Sequence, residues 1–417
     1  MKNSDKLTQV RRDFGGCWPN GNQELLLQAC LLQEAKAIDA WRQWKANVDF
    51  NQVDPASNRL FPLLFSNLRA HEVEDPLLKI FEWVYIVNRA KTQRILQDMS
   101  DLLRVLHNAG IRTMILKGAA LALLHYKDCG LRPIGDLDVL VPTEQAPDSI
   151  QILQQLGWTP METVLKGFAE ISLLKKFGWD PKPRRIESFT DTYLAARHAH
   201  DFLDSEGHVC DLHWHLLHGC NNPRADQRFW EEALEIKVCG VPTHALNATD
   251  QLFHACIYGV KWEPMPPIRW VADAYTIVSN SDNEINWDRL VGLAKSTKSV
   301  LPLQAALEYL QALLGVAIPL YIMRELRSLP VSELEKMQHR IRTRPPRVVD
   351  GLLEVYLVSR CCFKGMRDKH LSQRIAALPG LLQHVFGMDH ISQLPFYVLF
   401  EFVRRTNKML HRKSRGK

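Results

Sequence analysis

The sequence has no apolar run long enough to cross a bilayer, which takes about 18 to 20 residues. Its opening, MKNSDKLTQVRRDFGGCWPN, lacks the uninterrupted apolar stretch of a secretory signal. It also lacks a C-x-x-C pair. Nine cysteines, at positions 17, 30, 129, 210, 220, 239, 256, 361 and 362, are an odd number in a long chain, which argues against a disulfide framework or a zinc ribbon and for reduced thiols. There is no internal repeat and no long low-complexity segment, so solenoid and fibrous architectures are excluded. These absences lead us to expect a cytoplasmic protein.

What is present is the apolar content of an ordinary globular chain, 46% of 417 residues, enough for two or three domains. The formal charge of +6 is unevenly placed. The closing segment RRTNKMLHRKSRGK holds seven of the 52 lysines and arginines and no acid, leaving 45 basic against 46 acidic residues elsewhere. The body is neutral and the tail is basic.

Helical period and good helix formers mark residues 23–46 and 75–109, joined by a segment with proline and asparagine. From Gly110 the character changes. IRTMILKG reads as a short strand ending in glycine, and AALALLHYKD after it as helix. VLVP closes another strand, and TEQAPDSIQILQQLGW reads as a helix that stops at Gly157. KKFGWDPKPRRIES, with five Lys or Arg side chains, reads as a solvated loop that could also meet an acceptor. RHAHDFLD and HVCDLHWHL flank a turn at Asp204 to Gly207, a hairpin signal. Beyond about Cys220 the pattern is helical again, with starts at Thr249 or Asp250, near Pro267 and at Asn286.

The segment LRPIGDLDVLVP places Asp136 and Asp138 on one face of a strand, with Leu137 and Val139 on the other. Like charges so close repel. The pair is therefore either solvated at a strand edge or built to hold a cation, and hard oxygen ligands of this kind suit Mg²⁺ or Mn²⁺. Lys117 and Gly118 fall at a strand-to-helix turn, where backbone N–H groups and a lysine could hold phosphate; alternatively Gly118 only permits the turn. Asp211 offers a third carboxylate from a later strand, on the face shared with Val209, His213 and His215, while Cys210, Leu212 and Trp214 take the other. His208, His213, His215 and His218 match no common zinc spacing, and His213 and His215 read equally well as polar cleft lining. Arg132 could clamp phosphate or neutralise the acidic pair. Arg269 and Asp273, at i and i+4, read first as a structural ion pair, with a nucleotide-facing role as the alternative.

The run from LKGAA through RPIGDLDVLVP to VCDLHW resembles the DNA polymerase β-like nucleotidyltransferase superfamily. It is closer still to a bacterial group of uncharacterised nucleotidyltransferases, with similarity from LFPLLFSNL near residue 60 to RWVADAYTIV near residue 278. The resemblance implies an α+β fold: a small mixed-sheet core at 107–220 between an N-terminal helical segment (1–106) and a C-terminal helical domain (221–403), followed by a basic tail (404–417). It implies that Gly118 approaches a nucleoside triphosphate such as ATP, with Lys117 and Arg132 beside it. Asp136, Asp138 and Asp211 would ligate two Mg²⁺ or Mn²⁺ ions, and Asp211 would help deprotonate an acceptor hydroxyl that attacks the α-phosphate. The superfamily often has serine after the glycine; here Ala119 removes one hydroxyl donor. The acceptor is left open among a sugar phosphate, a small molecule, a protein and an RNA end. One rival is a nucleotide-holding regulatory or partner-binding protein on the same fold. Another is a membrane-surface adaptor, because QLPFYVLFEFV followed by the basic tail suits weak contact with an anionic membrane.

Overall fold

The computed structural model describes residues 7–10, 17–161, 191–219, 223–280, 284–345, 350–366, 370–386, 390–393 and 395. The basic loop at 175–188 and the tail at 404–417 lie outside the described residues.

The first expected helix is two. Helix α1 (Gly21–Leu31) starts at a capping box in which Asn20 and Gln23 satisfy each other's backbone, and ends at the extended Leu32. Helix α2 (Glu34–Asn47) follows, then α3 (Phe61–Ala70) and the long α4 (Leu78–Asn108). Strand β1 (Met114–Ile115) leads into α5 (Lys117–Leu121), which continues as a π turn over Ala122–Tyr126. Next come β2 (Leu137–Leu140), α6 (Ala146–Gln155) and β3 (Thr159–Pro160); Gly157, just past α6, takes a φ of +84°. Helix α7 (Asp191–Ala196) precedes β4 (Ala199–Leu203) and β5 (Val209–His213), the expected hairpin. Its turn is held by Asp204, whose side chain accepts from the N–H groups of Glu206 and His208.

Helix α8 (Pro223–Glu231) is followed by β6 (Leu234–Val238) and β7 (Val241–Ala245). This second hairpin corrects the expectation of continuous helix beyond Cys220. Its signal is an alternating EIKV and VPTHA around Cys239 and Gly240, whose φ angles of +46° and +84° suit a tight two-residue turn. Helices follow: α9 (Ala248–Gly259), α10 (Arg269–Ser279), α11 (Trp287–Thr297), α12 (Val300–Leu314), α13 (Leu320–Ser328), α14 (Glu333–Arg342), α15 (Asp350–Gly365) and α16 (Leu371–Phe386). Asn247 caps α9 and Asn286 caps α11, at the expected starts. No helix among the described residues is long and apolar enough to cross a membrane.

The chain forms two compact units, each visited three times. The first takes Met1–Val105, Met114–Leu137 and Phe229–Pro345, and the second Leu106–Thr113, Asp138–Arg228 and Pro346–Lys417. In the first unit the strand order is β1-β7-β6, with β1 parallel and β6 antiparallel to β7, so the sheet is mixed. In its core Trp41 and Trp44 stack on each other and meet Phe81 and Phe61 edge-on, with Phe61 tilted against Phe81. The apolar α12 is buried along most of its length, and Tyr309 on it stacks on Trp18 at 4.6 Å. In the second unit the order is β3-β4-β5-β2, and α7 packs against α15 and α16. Its core holds Phe202, Cys210, Leu212 and Trp214, all without solvent exposure. The fold is thus the expected mixture of helix and mixed sheet.

Candidate metal centre and cationic cavity

Strand alternation builds the acidic cluster of the second unit. Cys210 and Leu212 turn inward, so Asp211 and His213 share the opposite face of β5. Asp138 lies in β2, a strand buried at every position, and is only 2% exposed. An isolated carboxylate that deep would be costly. It faces His213 instead: Nε2 of this imidazole, itself 0% exposed, lies 3.2 Å from Asp138 Oδ1 and 2.8 Å from Asp211 Oδ2. One ligand atom from each of Asp138, Asp211 and His213 falls within 4.8 Å of the others. A proton on Nε2 offsets the repulsion between the carboxylates, and a divalent cation would do the same with greater charge.

Two of the three expected carboxylates are therefore brought together. Asp136, the third, is exposed in the bend just before β2. Among the four histidines weighed from sequence, His213 joins the acids, while His208 pairs with Asp204 at 2.9 Å and His215 with Asp226 at 2.6 Å. Period-2 reasoning put His213 on the Asp211 face; its Nε2 contacts to both carboxylates required the neighbouring strand.

At the turn into α5 the strained backbone is at Lys117, whose φ of +46° is rare for a residue with a side chain, and not at Gly118. What glycine admits at 118 is a guanidinium: a Cβ there would lie 3.2 Å from Arg132 Nη1. Arg132 donates from Nε and Nη2 to the two oxygens of Asp273, each at 2.8 Å, and from Nη1 to the Pro133 carbonyl. Tyr126 donates to the same Asp273 carboxylate. The i, i+4 pair expected between Arg269 and Asp273 is thus replaced, because Arg132 takes both oxygens of Asp273. Arg269 donates from Nη1 to the Pro133 carbonyl at 2.8 Å.

Lys117, Arg132 and Arg269 line a cavity of about 430 Å³ together with Arg59, Lys261, Glu263 and Asp273. Five cationic side chains meet two acids there. Its apolar walls include Tyr258 and Trp270, with the Lys117 ammonium 5.7 Å from the Tyr258 ring. Burial lowers the pKa of Arg269 to about 10, and the charge of Arg132 presses it down further, as does Arg59; Asp273 and Asp136 pull it back up. Neither Arg59 nor Tyr258 carries a motif that singles it out in the sequence.

No curated protein is detectably similar to the chain. Among solved structures it is similar to an antigenic nucleotidyltransferase-like protein from Paracoccidioides brasiliensis, at 13% identity over 57% of this chain and 94% of that one. The TM-score is 0.33, too loose a likeness to bear on the site. The family comparison is firmer: residues 56–315, which take in the Lys117 turn, both aspartates of β2 and its approach, the Asp211 hairpin and Arg269, match one family throughout, and the chain belongs to the uncharacterised nucleotidyltransferases.

Proposed function

We propose that the protein is a Mg²⁺- or Mn²⁺-dependent nucleotidyltransferase that moves a nucleoside monophosphate from an NTP to an acceptor hydroxyl. The observation that carries this reading is the convergence of Asp138, Asp211 and the buried His213, a set whose two neighbouring carboxylates fit a hard divalent cation. Asp138 and Asp211 would hold the metal, joined by the exposed Asp136 two residues upstream in the chain. The metal would supply electrostatic stabilisation of the charge that develops on the phosphoryl oxygens. Asp211 accepts the acceptor's proton as its oxygen bonds to the α-phosphorus, the bond to the β-phosphate breaks, and pyrophosphate leaves. His213 is assigned the job of keeping Asp138 and Asp211 in place through Nε2. Lys117, Gly118 and Arg132 are assigned to the nucleotide, with Gly118 and Arg132 acting together because the glycine makes room for the guanidinium. We place the reaction in the cytoplasm, where the thiols of Cys30, Cys210 and Cys256 stay reduced. The acceptor is a sugar phosphate, another small molecule, a protein hydroxyl or an RNA end.

The test is calorimetry with ATP, GTP, CTP and UTP, with and without Mg²⁺ or Mn²⁺. At least one nucleotide should bind with metal. Asp138→Asn should weaken that binding by more than about 100-fold, since even groups that only support metal ligands are worth about 10–100-fold. Absence of metal-dependent binding for all four would remove the reading. The second reading, a nucleotide-holding protein without transfer, is favoured by one feature, Ala119 in place of serine. It is distinguished by metal-dependent binding with no label passed from any NTP to a cell extract.

A further inference from the structure

We propose that Arg269 and Arg59, with Lys117 beside them, form a polyphosphate-binding wall in the cavity of the first unit, and that Arg269 supplies the two-point grip on the phosphates while Arg132, its charge paired with Asp273, makes a secondary contact. Part of the charge in the cavity is already paired. Both acids on the cavity wall are in ion pairs, Asp273 with Arg132 at 2.8 Å and Glu263 with Lys261 at 2.7 Å. Nε and Nη2 of Arg132 are turned to Asp273 and Nη1 to the Pro133 carbonyl, so three of its five N–H donors are already used and its charge is paired. Arg269 is differently placed. Its Nη1 rests on the Pro133 carbonyl, which fixes the plane of the guanidinium, and the side chain lines the cavity with Arg59. A planar fork held at one nitrogen is prepared for two-point contact with phosphate oxygens.

Charge crowding points the same way. The charges of Arg132 and Arg59 make the protonated form of Arg269 less favourable, in a wall that also excludes part of the solvent. A polyanion entering the cavity would relieve that repulsion, so binding gains from the crowding of like charge on this wall. Lys117 adds a cation held over the Tyr258 ring by a backbone with φ of +46°. The cavity volume of about 430 Å³ suits a ligand of nucleotide size. The apolar faces of Tyr258 and Trp270 leave room for a portion other than phosphate. This inference rests on the nucleotidyltransferase reading only for where the polyphosphate comes from; the recognition chemistry stands apart from it.

Calorimetry on the full chain with inorganic triphosphate, without metal and at low salt, tests it. The parent protein should bind, and less tightly as salt is added. Arg269→Gln should weaken binding by about tenfold or more, the scale of a charge-assisted hydrogen bond. Arg269→Lys should fall between the two because it keeps charge and loses the fork. Arg59→Gln, at an exposed position, should give a smaller loss and decides the matter if circular dichroism shows Arg269→Gln unfolded. Lys336→Gln, at an exposed position outside the cavity, should bind triphosphate as the parent does. No binding by the parent, or equal binding by parent, Arg59→Gln and a folded Arg269→Gln, overturns the proposal. Should Arg269-dependent triphosphate binding persist while no NTP binds with metal, the transferase reading falls and the anion wall stands. A parallel titration with ATP separates a nucleotide from simpler phosphates: tighter binding of ATP than of triphosphate assigns Tyr258 and Trp270 to the base.

Discussion

The acidic cluster and the cationic cavity handle charge in opposite ways. In the cluster, two carboxylates from adjacent strands share one buried imidazole, so the excess of one sign is answered inside the protein. In the cavity, Arg132 consumes the carboxylate of Asp273, and Arg269 is left beside other cations. The difference also lies in sequence distance. The cluster comes from two strands and can be written as D-L-D and D-L-H; the cavity gathers Arg59, Lys117, Tyr258 and Arg269, spread over about half the chain. Strands encode a site in a few alternating residues, whereas helices lining a cavity each contribute one side chain at a spacing fixed by loops.

The strongest way to break the comparison is to remove Asp273. Asp273→Ala leaves Arg132 buried without its carboxylate and takes away the acceptor of the Tyr126 hydroxyl, which should cost about 3–5 kcal/mol by urea unfolding. Replacing Arg132 by Met in the same chain should restore much of it. A loss below about 1 kcal/mol would mean that this pair does not hold the cavity wall.

Acid should sharpen the comparison through two buried histidines, His125 in the first unit and His200 in the second. Burial lowers the pKa of His125 to about 4, with a Gln251 hydrogen bond and Asp273 opposing it. Burial also lowers that of His200 to about 4, aided by Arg197 and opposed by Asp211. Both folded values lie below the ordinary value near 6.5, so the unfolded chain takes up protons first. Their contribution is complete above pH 6.5 and is lost as the pH falls toward 4, by up to about 3 kcal/mol each. His125→Gln and His200→Gln should each flatten the stability profile in this window, and an unchanged slope in either variant would show that its histidine is protonated in the fold.

Asp211→Asn tests the assignment within the cluster. Transfer should fall by more than about 100-fold, while triphosphate binding in the cavity stays within about twofold of the parent. Equal transfer by parent and variant would remove Asp211 from the mechanism.

The sequence made the mixture of helix and sheet legible, along with the Asp204 hairpin and the shared face of Asp211 and His213, since each depends on local period and turn chemistry. The β6–β7 hairpin carried an equally local signal in Cys239-Gly240, but Cys-Gly is not one of the Asn-Gly or Asp-Gly pairs that usually mark such a turn, and each strand is only five residues long. The partner of Arg269 was out of reach for a different reason. A spacing of four on α10 favours Asp273, but Arg132, 141 residues earlier in the chain, reaches that carboxylate with two nitrogens. Helical spacing ranks local candidates only, and a bidentate contact from elsewhere outweighs the i, i+4 contact that the spacing offers.

The π turn at Ala122–Tyr126 gives the chain a constraint of count. A π turn carries about one residue more than an α turn, and each residue of helix advances the side-chain direction by roughly 100°. Taking one residue out of this turn would leave Lys117 at the head of α5 and swing the Tyr126 hydroxyl away from Asp273, which it now meets at 2.9 Å. Substitutions that keep its length should be far better tolerated here than any insertion or deletion, so the number of residues between Lys117 and Tyr126 is as much a part of the cavity's specification as their identities.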